Sequence, residues 1–179
     1  MVSYGDEFGY YYIENFLMQL QLGQIKSRPQ DPNLAPLREV DLNWSGAEGG
    51  LELYEVLPYL AVPSVTEFRG GMIRLEGPLD PFPTQVFHTT SVTLPVSNLD
   101  APAMVSFLSC FHSLKRFEYE HAGIMVGDKI FSPSSVNEGL TNSEHCLEEL
   151  VLSNDDRYVS PSPDDLHPLG SLARFVKLR

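Results

Sequence analysis

Five histidines, His88, His112, His121, His145 and His167, and two cysteines, Cys110 and Cys146, are the side chains best suited to hold a metal ion or to act as nucleophile and base. A zinc-type site needs such ligands at short repeated intervals, so that one turn or helix face aims them at a single ion. None of the histidines forms HxxxH or HxH, and the adjacent His145 and Cys146 cannot easily direct both side chains to one ion. They read as surface or loop histidines at junctions between elements. Cys110 has His112 and His121 close by in sequence, yet it closes an apolar helical face, where a buried thiol is the expectation. Neither GxSxG, GxGxxG nor a P-loop pattern occurs, so elbow-type hydrolysis, dinucleotide binding and phosphate cradling have no support. The carboxylate pairs Asp155–Asp156 and Asp164–Asp165 lack both calcium-loop glycine spacing and the strand framing of a glycosidase pair, and read as a solvated acidic loop. No catalytic, cofactor-binding or metal-ligating residue is expected. A small hydrolase or metalloenzyme on an irregular α/β fold is the outlying alternative.

What would position any functional surface is a recurring apolar frame, LxxLxL. It reads Leu37–Val40–Leu42, Val65–Phe68, Val92–Leu94, Leu114–Phe117–Tyr119 and Leu147–Leu150–Leu152. With first positions at 37, 65, 89, 114 and 147, the intervals are 28, 24, 25 and 33 residues, the range of a leucine-rich repeat. Helical patterns follow several frames. Leu51, Tyr54, Leu57 and Leu60 share one face, with a kink or end at Pro58. Asp100 or Ala101 caps a second helix, with Pro102 in its first turn and Val105, Leu108 and Phe111 on one face. Ser132 caps a third, with Pro133 at N1 and Val136 and Leu140 at i and i+4, and LGSLARF repeats that arrangement near the end of the chain.

Residues 71–88, with three prolines, predict an extended return rather than a helix. Residues 153–169 read as a Ser/Pro/Asp-rich insertion on the loop side. Residues 1–36 form an N-terminal helical cap or partial repeat, with a helical pattern over 13–25 and a turn segment RPQDPNLAP. Residues 37–179 hold the repeats and read as C-terminally truncated, because Leu178 stands about one repeat after Leu147; a fragment, a short gene model or association through that end is expected. The fold class predicted is thus an α/β leucine-rich repeat solenoid, right-handed and curved, with parallel strands on the concave face and helices and loops on the convex face.

Strand alternation sends frame residues inward and the residues between them to the concave face. That strip is Glu39, Asp41, Asn43, Glu67, Arg69, Ser91, Thr93, Arg116, Glu118, Glu120, Glu149, Val151 and Ser153. Six carboxylates against two guanidiniums make it acidic, which would attract a protein partner with a basic surface. Trp44 is expected under a loop, Tyr158 lies in the acidic insertion, and Tyr10–Tyr11–Tyr12 is read equally as capping the first repeat or docking on a missing upstream domain.

The whole chain, 179 residues with 12 Lys and Arg against 24 Asp and Glu, carries a formal charge of −12. So few cations oppose nucleic-acid binding, which depends on clustered basic residues. No run approaches the roughly 20 apolar residues of a membrane span, and Met1 to Tyr12 carries Asp6 and Glu7 but no Lys or Arg, unlike a signal peptide. Two cysteines make no disulfide framework. An intracellular protein, cytoplasmic or nuclear, with reduced thiols is expected.

At FLSCFHSLKRFEYEHAG, FSPSSVNEGLTNSEHCLEELVLSNDD and LGSLARFVKLR the text resembles the leucine-rich repeat region of fungal F-box-like and related proteins. The similarity runs over roughly residues 37–179 and is most specific over 101–179. It implies a non-catalytic binding platform or, as the alternative, the substrate-recognition fragment of an F-box ubiquitin ligase of the SCF type. Residues 1–36 show no F-box, so a Skp1-type adaptor is a partner only if an F-box lies outside this chain.

Overall fold

Short runs that alternate apolar and polar residues make strands with one face to bury, and such strands gain most by stacking on one another. The computed structural model describes residues 37–43, 50–80, 86–122, 132–155 and 168–179. Among them the strands are β1 Glu39–Asn43, β2 Leu51–Glu52, β3 Glu67–Gly71, β4 Ile73–Leu75, β5 Ser91–Leu99, β6 Arg116–Ala122 and β7 Glu149–Asp155. Three short helices accompany them: α1 Leu53–Leu60, α2 Ala101–Leu108 and α3 Pro133–Gly139, the last continuing into a 3₁₀ turn at Leu140–Ser143. The fold is mixed α/β, with a parallel sheet and few helices.

Strands β1, β3, β5, β6 and β7 lie side by side in chain order, every pair parallel. Glu39 pairs with Glu67, Glu67 with Ser91, Ser91 with Arg116 and Arg116 with Glu149, offsets of 28, 24, 25 and 33 residues. These offsets equal the intervals of the apolar frame. Below this level, Val40, Phe68, Val92 and Phe117 form an inward column no more than 2% exposed. Burying a side chain of this kind is worth about 1.5–3 kcal/mol against leaving it in water.

The strands are joined at their entries by a repeated motif. Thr66 and Glu67 donate backbone N–H to the Arg38 carbonyl, Thr90 and Ser91 to Thr66, Lys115 and Arg116 to Thr90, and Glu148 and Glu149 to Lys115, all at 2.7–3.1 Å. Thr89, in a frame position otherwise held by Val65, Leu114 and Leu147, is fully buried, and its hydroxyl donates to the Val65 carbonyl at 3.1 Å.

β5 is long enough to serve two sheets. Its first half pairs with β3 and β6; Asn98 and Leu99 pair with Arg74 and Leu75 of β4, which pairs in turn with β2. The register shifts between Leu94 and Ser97, where Val96 adopts φ 49°, a left-handed bulge that redirects the strand. At the entry to β2, Gly50 has φ +79°, and a Cβ there would stand 2.3 Å from the Met72 carbonyl oxygen.

α2 and α3 start where the cap residues indicate, and α3 buries Val136 and Leu140 as the spacing suggests, but α1 and α2 bury other faces. In α1 the covered residues are Leu53, Val56, Tyr59 and Leu60, while Tyr54 is exposed. Leu51 belongs to β2, so the helix begins later than the apolar run and its inward face rotates. Tyr54 turns outward to bond both the N–H and the carbonyl of Asp80, at 2.8 and 3.2 Å. The helix runs through Pro58, itself buried, to Leu60 rather than ending there. Asp100 caps α2, its carboxylate accepting from Ala103 N at 2.9 Å. Its core face is Met104, Phe107 and Leu108, with Phe111 beyond; Val105 is half-buried against the groove to α3. There Gly139 lets the helices approach, since a Cβ would lie 2.8 Å from Leu108 Cβ and 3.1 Å from Val105 Cα.

α3 begins after Ser132 with Pro133 in its first turn and buries Val136, with Leu140 buried in the 3₁₀ turn. LGSLARF does not form a helix: residues 169–172 are irregular, with Gly170 at φ 84°, and a turn at 173–174 is closed by Phe175 N bonded to Leu172 O. This segment is tied to α3 by Asn137, whose amide donates to the carbonyls of Leu169 and Ser171, and by the Arg174 guanidinium, which donates to the Asn137 carbonyl. No helix over 71–80 or 86–88 is present, as an extended return requires. Residues 153–155 belong to β7 rather than to an insertion, because Ser153–Asp155 still find partners on β6. The readings for residues 1–36, Trp44, Tyr158 and the rest of the acidic stretch lie outside the described residues.

Candidate binding face

Alternation along the five stacked strands brings the residues between frame positions onto one face in registered rows. The first row runs Glu39, Glu67, Ser91, Arg116, Glu149, and the second Asp41, Arg69, Thr93, Glu118, Val151. Glu120 and Ser153 begin a third, Glu120 opposite Ser153; Asn43 ends β1 beside Gly71. Of these side chains, Glu39, Asp41, Glu67, Arg69, Ser91, Thr93, Arg116, Glu118, Glu120, Glu149, Val151 and Ser153 are exposed or half-exposed, in contrast to the inward column.

Charge is unevenly distributed over the face. On β6 and β7, Arg116 lies 2.9 Å from Glu118 and 3.2 Å from Glu149, one guanidinium between two carboxylates. Its pKa is raised above the ordinary arginine value, first by the hydrogen bond to Glu118 and further by the charge of Glu149. All three groups are more than a third exposed, so water and salt screen them and each pair is worth about 0–1 kcal/mol. Across β1 and β3, Glu39 and Glu67 are neighbours in register, and Asp41 stands beside Arg69. Ser91 and Thr93 make a neutral strip between these two charged zones.

Among the described residues the groups that could do chemistry do not converge. Among the described residues, no three His, Cys, Asp or Glu side chains gather as a metal-holding group. Cys110 is 3% exposed, its thiol donates to the Ser106 carbonyl, and burial pushes its pKa up to about 12, so it is protonated at neutral pH. Cys146 is raised too, chiefly by burial, and its thiol points at the Leu114 carbonyl at 3.3 Å. His88, His112 and His145 are exposed.

His121 departs from the surface expectation: it is buried in β6 at 4% exposure. Its Nδ1 lies 3.1 Å from the Tyr119 hydroxyl, which also accepts from Leu99 N and donates to the Ser97 carbonyl, both at 3.1 Å. Burial raises the Tyr119 pKa strongly. Nothing in the local text FEYEHA marked this network, because its other members, Ser97 and Leu99, come from a strand about 20 residues earlier.

An open groove of about 610 Å³ lies between α2 and α3, lined by serines, prolines and Glu138. Its hydroxyls are engaged internally: Ser106 donates to the Pro102 carbonyl and accepts from Leu79 N, and Ser135 donates to the Ser132 carbonyl. Glu138 is the one carboxylate among the described residues that line it. No helix among the described residues is long and apolar enough to cross a membrane. Compared with family models, curated proteins and solved structures, the chain gives no match.

Proposed function

We propose that this chain is a leucine-rich repeat arc whose parallel-strand face serves as a non-catalytic docking platform for a protein partner with a basic surface. The observation that carries the reading is the register: five parallel strands in chain order, offset by the intervals of the apolar frame, each sending its intervening residues to one face. Such a stack presents a broad, shallow, regular surface, suited to binding another macromolecule rather than to enclosing a small substrate. With six carboxylates to two guanidiniums, that surface steers cations toward it.

The test compares the native chain with Glu118→Lys/Glu120→Lys as baits for partners from cell extract, followed by titration of the purified partner at increasing salt. The reading expects a partner of basic surface whose affinity falls with salt, and falls about tenfold or more on double charge reversal. Affinity and salt dependence unchanged by the reversal would overturn it.

A further inference from the structure

Two histidines 24 residues apart in the chain, His88 and His112, are brought side by side by a pairing outside the named strands. Phe87 and Phe111 form a parallel bridge, with Phe87 N donating to the Cys110 carbonyl at 2.9 Å. Both rings are buried and meet edge to face at 5.3 Å. The residue that follows each inward phenylalanine is exposed, His88 in one segment and His112 in the other. Paired extended segments lie about 4.8 Å apart, within reach of two imidazole nitrogens closing on one ion at about 2.0–2.1 Å each. The two backbones are held in place from the core side. The Ser143 hydroxyl donates to the Phe111 carbonyl at 2.9 Å, the Cys146 thiol is directed at the His112 carbonyl at 3.8 Å, and the Thr89 hydroxyl donates to the Val65 carbonyl at 3.1 Å. Such support sets the spacing of the two side chains before any ligand arrives.

We infer that His88 and His112 form a two-histidine seat for a divalent transition-metal ion. Imidazole nitrogen is a ligand for copper, nickel and zinc alike. A pair falls short of the four ligands of a structural zinc site, and no third ligand group joins it among the described residues. Two imidazoles with water in the remaining positions suit the tetragonal geometry of Cu²⁺, which also binds most tightly in the divalent series. Copper is therefore the preferred occupant and zinc a weaker one. Cys110 and Cys146 stay out of the seat, since both thiols are buried and directed at backbone carbonyls. A bound ion ties together the segments that lead into β5 and β6, at the entry end of the stack. The seat is separate from the strand face argued above and stands without it.

The full chain is titrated with copper(II) chloride at neutral pH and followed by calorimetry and electron paramagnetic resonance. The seat takes a single ion, whose resonance carries the signature of two imidazole nitrogens. His88→Asn and His112→Asn each weaken binding at least as much as loss of an outer-shell partner does, about tenfold or more, and leave one nitrogen in the signature. His145→Asn, which removes an exposed histidine outside the pair, leaves affinity and signature unchanged. Zinc chloride binds the native chain more weakly and loses affinity in the same two variants. All three side chains are exposed, so the variants keep the native melting curve. If one unfolds, trace Cu²⁺ on the native chain serves instead: it broadens the ring resonances of His88 and His112 before those of His145. Affinity unchanged by His88→Asn or by His112→Asn overturns the seat. An equal loss on His145→Asn, or equal broadening of all three rings, marks diffuse surface binding and overturns it too.

Discussion

Leu94 and Leu152 flank Tyr119 in a single row of the sheet, one on β5 and the other on β7. They are the same residue, facing the same core, and they differ in what lies beyond them. Leu94 has a strand on either side of β5 and is fully buried; Leu152 has, among the described residues, β6 on one side and is only partly covered. Burial here belongs to the stack rather than to the residue, since each strand is covered by its neighbours more than by its own segment.

Paired substitutions put that difference to the test. Leu94→Ala should cost about 2–5 kcal/mol, as for a fully enclosed leucine, and Leu152→Ala less than half as much. Urea unfolding of both variants measures it, and equal losses would break the comparison. A second pair sharpens it with polar groups. Tyr119→Phe leaves the buried Leu99 N–H without its acceptor and should cost about 1–3 kcal/mol. Tyr54→Phe removes an exposed hydroxyl from Asp80, where water replaces it, and should stay within about 0.5 kcal/mol. The smallest effect is expected on the charged side of the same strands. Arg116→Ala should change stability by about 1 kcal/mol or less, fading with added salt; a loss matching Tyr119→Phe would mean that the ion pairs, and not the covered rows, hold β6 to β7.

Much of this arrangement was legible in the residues because strand pairing follows alternation. The frame at 37, 65, 89, 114 and 147 predicted the strand offsets, even where Thr89 replaces an aliphatic residue, since its hydroxyl finds the Val65 carbonyl. Helix starts are equally local: Asp100 caps α2 through its carboxylate, and Ser132 followed by Pro133 marks the start of α3 although its side chain makes no cap bond. The rows of the strand face follow from the same alternation. Legibility failed where distant partners decide. The inward face of α1 depends on Leu51 joining β2, a strand of two residues that pairs with β4, too short to leave a pattern. The burial of His121 depends on a tyrosine anchored to β5, and LGSLARF, apolar at helical spacing, is held in turns by Asn137 of α3.

The bulge at Pro95–Val96 bears on a problem common to stacked alternating strands. Sliding a strand by two residues keeps every apolar side chain inward, so alternation alone tolerates that error. Ser97 forbids it: its hydroxyl accepts from Ile73 N of β4 and donates back to the Pro95 carbonyl, while its own carbonyl accepts from Tyr119 of β6. Moved by two residues, Pro95 or Leu99 would stand in its place, and neither has a hydroxyl to offer Ile73. One small polar residue thus acts as an indexing pin, locking three strands of two sheets to a single alignment.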